Sequence, residues 1–159
     1  MTYLLFFSLF LLFCSWIIPS KSTIESYKIP KEKKEIKKLV ELIILWAEVN
    51  IKMGKKRKIR PLVTISTSKN TKYCGTYNSS NKTIMVYIKN NPDILTLVDT
   101  CIHEYIHHLQ LRGVNENSRY NKLTKSKGYW ENDYEIEARQ LAEKYRIQCF
   151  KSLNVSVGK

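Results

Sequence analysis

One stretch of the sequence, residues 93–111, constrains the fold more than any other. At about 100° per residue, its apolar side chains form a single helical stripe: Val98, Cys101, Ile102, Tyr105, Ile106 and Leu109. His103 and His107 lie on the opposite face, roughly 180° from the centre of that stripe. A helix of this kind buries one side in a core and turns its two histidines toward a polar cleft.

The spacing of the two histidines indicates a metal site. His103 and His107 are separated by one turn and about 40°, so both imidazoles can reach one ion from the same side. Zinc at a catalytic site takes three protein ligands and leaves one position for water. Glu104 follows the first His and lies beside the ion, where a carboxylate can take a proton from the activated water. The alternative is a chance HExxH with two exposed histidines.

The third ligand must come from outside this motif. No His follows His108, which points away from the ion and is interpreted as a surface residue or one that supports a ligand. A metzincin would carry its third His at position 113, which is Gly113 here. A carboxylate on another helix is therefore expected, and Glu135 and Glu137 are the candidates. These two lie about 200° apart on a helix and cannot both face one ion, and helix phase alone leaves them nearly equal.

The segments HEYIHHLQ and EIEARQLA together resemble the gluzincin type of zincin metallopeptidase. The layout over residues 62–149 is similar to that of the compact zincin-like peptidases of bacteria and phages, including the ImmA/IrrE-like group. The resemblance implies peptide-bond hydrolysis with one zinc ion per chain and a peptide or protein substrate. It also implies that His103, His107 and Glu135 are the metal ligands, with Glu135 three residues before Ala138, and that Glu104 is the general base.

Periodicity and turn residues predict a mixed set of elements. They are a helix at 31–53, a strand at 62–65, two strands within 73–88 joined by a turn at 78–81, a loop at 115–128 and a last helix at 131–150. The expected fold class is α+β. In its finer form it is a minimal zincin-like fold, with a small antiparallel or mixed sheet packed on the motif helix and flanking helices.

The distribution of apolar and polar residues along the chain suggests four segments. Residues 1–20 are almost entirely apolar and are interpreted as a signal peptide or an N-terminal membrane anchor. Residues 21–30 form a linker, 31–150 the zincin-like metallopeptidase domain and 151–159 a C-terminal tail. The protein is thus expected to be secreted or membrane-anchored. The alternative is an anchor with the domain in the cytoplasm, because lysines follow the apolar run.

Charge suggests a possible partner for one segment. The formal net charge is +13, and residues 21–60 carry 13 basic and 5 acidic side chains. The basic segment 52–60 could therefore contact an anionic membrane surface. No nucleic-acid-binding motif is present, so no specific nucleic acid is expected. The rival functions are a basic membrane- or nucleic-acid-binding module and a non-catalytic protein of zincin fold.

Three finer features are left open by the sequence. The strand at 83–88 is predicted either as an edge that pairs with an extended peptide or as an ordinary sheet strand. The candidates for stabilising an oxyanion are Tyr129, Tyr134 and Arg139. A disulfide between Cys74 and Cys149 is possible, whereas Cys101 is interpreted as a small buried hydrophobe.

Overall fold

A computed structural model describes residues 29–53, 59–70 and 72–157, with side chains up to Leu153. Four helices and three strands occur in these ranges, which confirms the α+β class. In chain order they are α1 (Lys33–Asn50), β1 (Leu62–Ser66), β2 (Gly75–Asn78), β3 (Thr83–Tyr87), a 3-10 turn (Ile88–Asn90), α2 (Ile94–Gln110), α3 (Glu116–Lys127) and α4 (Asp133–Val157). The motif helix is α2.

The three strands form a small mixed sheet in the order β1-β3-β2. Strand β3 pairs in parallel with β1 and antiparallel with β2. Of the two alternatives for 83–88, the ordinary sheet strand is correct and the peptide-binding edge is not, because β3 has a neighbour on each side. A strand rich in β-branched residues is favoured at the centre of a sheet, where both of its faces find packing partners.

Strand β2 is an edge strand that runs beside the motif helix. The carbonyl of Cys74 accepts a hydrogen bond from the N–H of Tyr87, which follows the register of the antiparallel pair. Since backbone groups alternate in direction along a strand, those of Gly75 and Tyr77 point away from β3. The backbone N–H and C=O groups of both residues therefore lie on the open side of β2, next to α2.

The core is built around the apolar stripe of α2, as predicted. All six stripe residues are buried, and Cys101 has no exposed surface. Around them pack the buried side chains of α1, of β3 and of α4, namely Ile36, Val40, Ile43, Ile44, Ala47, Ile84, Val86, Ala138, Ala142 and Cys149. Burying a side chain the size of Leu or Ile contributes about 1.5–3 kcal/mol, so this packing fixes the rotation of α2.

Polar side chains fix the start of α2 against the β2–β3 hairpin. Asp93 caps the helix by accepting from the Thr96 N–H at 2.7 Å. The buried Asn91 amide donates to the carbonyls of Cys74 and Tyr87 and accepts from the Thr100 hydroxyl at 2.7 Å. The hairpin is thereby tied directly to the helix that carries the histidines.

Two predictions of secondary structure are wrong, namely the loop at 115–128 and the end of the last helix at residue 150. Residues 115–128 were expected to form a loop, but most of them form α3, which has no buried residue. The sequence of this helix shows no apolar periodicity because the helix buries no side chain in the core. Polar contacts hold it in place instead, since the Asn132 amide donates to the Thr124 hydroxyl and to the Tyr120 carbonyl. Helix α4 begins at Asp133 and continues to Val157, so most of the expected tail 151–159 is helical.

The predictions for the N-terminus and for part of the basic segment fall outside the described residues. Residues 1–28 and 54–58 are not described, so the apolar run and most of the segment 52–60 have no structural account. Among the helices that are described, none is both long and apolar enough to cross a membrane. Cys74 is exposed and Cys149 is buried, and both are free thiols, so the possible bridge between them does not form.

Candidate metal centre

Three side chains from two helices converge at one point. The Nε2 atoms of His103 and His107 lie 3.0 Å apart. From α4, Glu135 brings Oε2 to 3.3 Å from His103 Nε2 and Oε1 to 3.2 Å from His107 Nε2. The near tie between Glu135 and Glu137 is resolved in the structure, because Glu135 is 1% exposed and faces the histidines. These three residues could hold a metal ion.

The donor atoms lie close enough together to share one zinc ion. Zinc bonds to nitrogen and oxygen are about 2.0–2.1 Å long. The two imidazole nitrogens lie 3.0 Å apart, and each lies within 3.3 Å of an oxygen of Glu135. In addition, Glu135 Oε2 is buried, and no described residue makes a well-oriented hydrogen bond to it. An orphaned carboxylate oxygen is costly to bury, and coordination to a cation would satisfy it.

The electrostatics of the cluster favour an anionic carboxylate. Burial alone would raise the pKa of Glu135, but the two imidazoles and the Tyr120 hydroxyl hold that pKa well below its usual range. Burial likewise lowers the pKa of His107, yet the Glu135 and Glu104 carboxylates outweigh it and raise the pKa. The site therefore holds an ionised Glu135 carboxylate beside the two imidazoles, and a bound cation would interact favourably with that carboxylate.

A hydrogen-bond relay sets the tautomer of His107. The Gln110 amide nitrogen donates to Glu137 Oε2 at 2.8 Å and to the Tyr134 carbonyl at 2.9 Å. Its oxygen therefore faces His107 Nδ1, at 2.8 Å, and accepts a hydrogen bond from the Nδ1–H. With the proton on Nδ1, the Nε2 lone pair of His107 is free for a metal. Glu137, predicted as a surface carboxylate or one that orients a ligand His, acts on His107 through Gln110.

Tyr120 is a site residue that the sequence did not reveal. Its hydroxyl donates to Glu135 Oε1 at 2.5 Å, from helix α3. Ligand carboxylates are commonly oriented by such hydrogen bonds. Tyr120 lies in a polar segment without periodicity, so nothing in the sequence predicted that it would lie close to the metal ligands.

Glu104 occupies a buried position beside the three ligands and is not one of them. It is 7% exposed, and its carboxyl accepts a hydrogen bond from the outward-facing N–H of Tyr77. Burial raises the pKa of Glu104, while the two neighbouring imidazoles lower it. The side chain packs on Gly75, where an added Cβ would lie 2.7 Å from Thr100 Cγ2 and 2.9 Å from Glu104 Cγ. This close approach of strand and helix holds the carboxyl in place.

His108 does not lie on the surface. It is 1% exposed, and its Nδ1 lies 3.1 Å from the Tyr77 hydroxyl. Its Nε2 pairs with the Ile59 carbonyl. Burial lowers the pKa of His108 to about 4, so the ring is neutral at physiological pH. The surface interpretation is wrong because the hairpin and residue 59 cover this side of α2.

Of the three candidates for an oxyanion stabiliser, only Tyr129 lines the cleft in front of the cluster. The Tyr134 hydroxyl donates to Glu116 instead. Arg139 donates to the Trp130 carbonyl at 2.6 Å and lies over the Trp130 ring. Tyr129 is thus the one candidate that lines the cleft, where its phenol lies close to Glu135.

The cleft itself has a volume of about 480 Å³. One wall is formed by Tyr73 and by the β2 residues Gly75, Thr76 and Tyr77. Helix α3 contributes Asn117, Tyr120, Asn121 and Thr124 to the other wall. The metal-ligand cluster and Glu104 lie at its floor.

The chain matches no known protein family, no curated protein and no solved structure. The chemistry of the centre must therefore be inferred from its own residues.

We expect Tyr120→Phe to weaken zinc binding by about tenfold or more, because the change removes the hydrogen bond that orients Glu135. Competition with a chromophoric chelator would measure the dissociation constant. Tyr134→Phe is the matched control, since its hydroxyl contacts Glu116 and not a ligand. Equal zinc affinities in the two variants would contradict a supporting role for Tyr120.

Proposed function

We propose that this protein is a zinc metallopeptidase. The proposal is supported chiefly by the buried carboxyl of Glu104, which lies beside a His-His-Glu cluster on the floor of an open cleft. A cluster that only stabilised the fold would have no need of a further buried acid, and structural zinc sites are usually closed by four protein ligands. The resemblance to gluzincins supports the same assignment and a zincin-like fold.

Bound zinc and the side chains of the protein would contribute different parts of the reaction. Bound zinc supplies a Lewis acid that polarises a carbonyl and lowers the pKa of a water molecule to about 7. His103, His107 and Glu135 would hold it. The Glu104 carboxylate takes the proton of the attacking water at its free oxygen and passes it to the leaving amine. The Tyr77 N–H keeps that carboxylate oriented during both transfers.

The peptide is proposed to lie along β2. The backbone of Gly75 and Tyr77 faces the cleft, so their carbonyls are placed to accept hydrogen bonds from an extended chain. Tyr129 is proposed to donate a hydrogen bond to the developing oxyanion from the opposite side. Burial and the Glu135 carboxylate raise the pKa of Tyr129, so its hydroxyl stays protonated and can donate.

Hydrolysis by the full-length chain tests the proposal. With zinc present, a mixture of unstructured peptides should be cleaved. A chelator should reduce cleavage to background, and added zinc should restore it. Mass spectrometry of the products would identify the bonds. A zinc-loaded protein that leaves every peptide in a diverse mixture intact would refute the proposed activity.

A further inference from the structure

A second cavity opens beside the metal cleft, at the far end of β2. Its volume is about 360 Å³. Its walls come from the hairpin turn, from the end of α2 and from residue 59. Tyr77, Leu111 and Asn117 line both this cavity and the cleft, so the two spaces share one wall and adjoin. A group bound in the cavity can therefore belong to a molecule that also occupies the cleft.

The charged side chains that line this cavity are both cationic, Lys82 and Arg112, and His108 beside them is kept neutral by its burial. Within the described ranges, no Asp or Glu lines the cavity and neither cation forms an ion pair. The lining also includes the polar residues Ser79 and Ser80. Such a lining is complementary to an anion.

The position of Arg112 adds a second observation. Its Nε donates to the His108 carbonyl at 3.2 Å, which holds the guanidinium against the end of α2. Its Nη2 is buried beside the Tyr105 hydroxyl, which fixes the guanidinium from the interior side. The nearby acids are engaged elsewhere, since Glu48 pairs with Arg60 at 2.8 Å and Glu116 accepts from Tyr134. No described carboxylate therefore pairs with Arg112, and a carboxylate brought by a ligand can interact with its positive charge.

We propose that this cavity is a subsite for an acidic side chain of the substrate, so that the enzyme selects peptides with Glu or Asp near the cleaved bond. This inference rests on the proposed peptidase function and names its substrate class. The cavity adjoins the cleft at Tyr77, Leu111 and Asn117, so the acidic residue is expected within a few positions of the cleaved bond.

Side-chain length favours Glu over Asp. The wall shared with the cleft is partly apolar, through Leu111 and the ring of Tyr77, and suits the methylene groups of a longer acid. The carboxylate would then reach the cations beyond this wall. Ser79, Ser80 and Asn117 offer further hydrogen-bond donors around it.

Two experiments on the full-length, zinc-loaded protein test the subsite. In the first, matched peptides carry Glu or Gln at each position around the cleaved bond, and kcat/KM is measured for each. We expect Glu to be preferred by about tenfold at one position, less so at high salt. The preference should vanish in the double variant Lys82→Asn, Arg112→Gln. Asn suits the positive φ of 55° at residue 82.

The second experiment needs no catalysis. N-acetylglutamate amide is titrated into labelled protein, with N-acetylglutamine amide as its neutral match, and amide NMR shifts are followed. The acid alone should shift Ser79 and Ser80, and the double variant should lose this response. Lys89→Gln, outside the cavity, is the control variant. Absence of all hydrolysis would refute the proposed function, whereas equal responses to acid and amide would overturn the subsite.

Discussion

Replacing both His103 and His107 by Ala should abolish the binding of zinc, which the wild-type chain should hold at one ion per molecule. The variant removes both nitrogen donors and leaves Glu135 alone, too few ligands for a zinc site. Mass spectrometry under native conditions, or metal analysis after gel filtration, would give the stoichiometry. Circular dichroism of the same samples would establish that the variant is folded.

A pair of single substitutions on α4 makes this test sharper. Glu135→Ala should weaken zinc binding by at least a hundredfold, because it removes a ligand. Glu137→Ala should retain the ion with a much smaller loss, since Glu137 acts only through Gln110. Zinc should also stabilise the wild type against unfolding, by up to about 4 kcal/mol at a thousandfold excess over the dissociation constant. This stabilisation should appear as a higher midpoint of thermal unfolding. Retention of zinc in Glu135→Ala, with loss in Glu137→Ala, would contradict the assignment.

Glu104→Gln should lower kcat by about 10²–10⁴-fold while the zinc content stays at one per chain. The substitution keeps the volume of the side chain and an oxygen that can accept from the Tyr77 N–H. It removes only the ability to take up and release a proton. Single-turnover hydrolysis of a fluorogenic peptide would measure the loss.

Glu143→Gln provides the matched control for that variant. It makes the same chemical change at an exposed carboxylate on α4 that pairs with Arg146 and contacts no metal ligand, so turnover should stay within a few-fold of wild type. If Glu104→Gln hydrolysed peptides at the wild-type rate, Glu104 would have no part in the reaction. Loss of zinc from that variant would instead assign Glu104 a structural role.

The sequence predicted the parts of the site that depend on the phase of one helix. His103 and His107 share a face because of their spacing, and the apolar stripe opposite them determines which way that face turns. The buried stripe of α2 confirms this reasoning. Glu135 and Glu137 could not be separated in the same way, because each lies on one flank of the α4 stripe. The packing of Ala138 against the core is what rotates Glu135 inward.

Other features depend on contacts between segments far apart in the chain. Helix α3 is polar on all sides and brings Tyr120 to Glu135 through hydrogen bonds that no periodicity reveals. The position of β3 in the middle of the sheet follows from a parallel pairing with β1. His108 is buried by residue 59 and by Tyr77, both more than 30 positions earlier. Local patterns carry no information about such pairings.

The crowded contact at Gly75 gives a way to recognise distant relatives. Any side chain at this position would displace Thr100 or the stem of Glu104. A related chain with the same geometry should therefore have glycine 29 positions before its motif glutamate, or an equivalent spacing if the intervening loop differs in length. A bulky residue there would identify a chain that keeps the two histidines but can no longer hold its motif glutamate in this position. Screening for this glycine would separate the two groups where overall similarity is too low to do so.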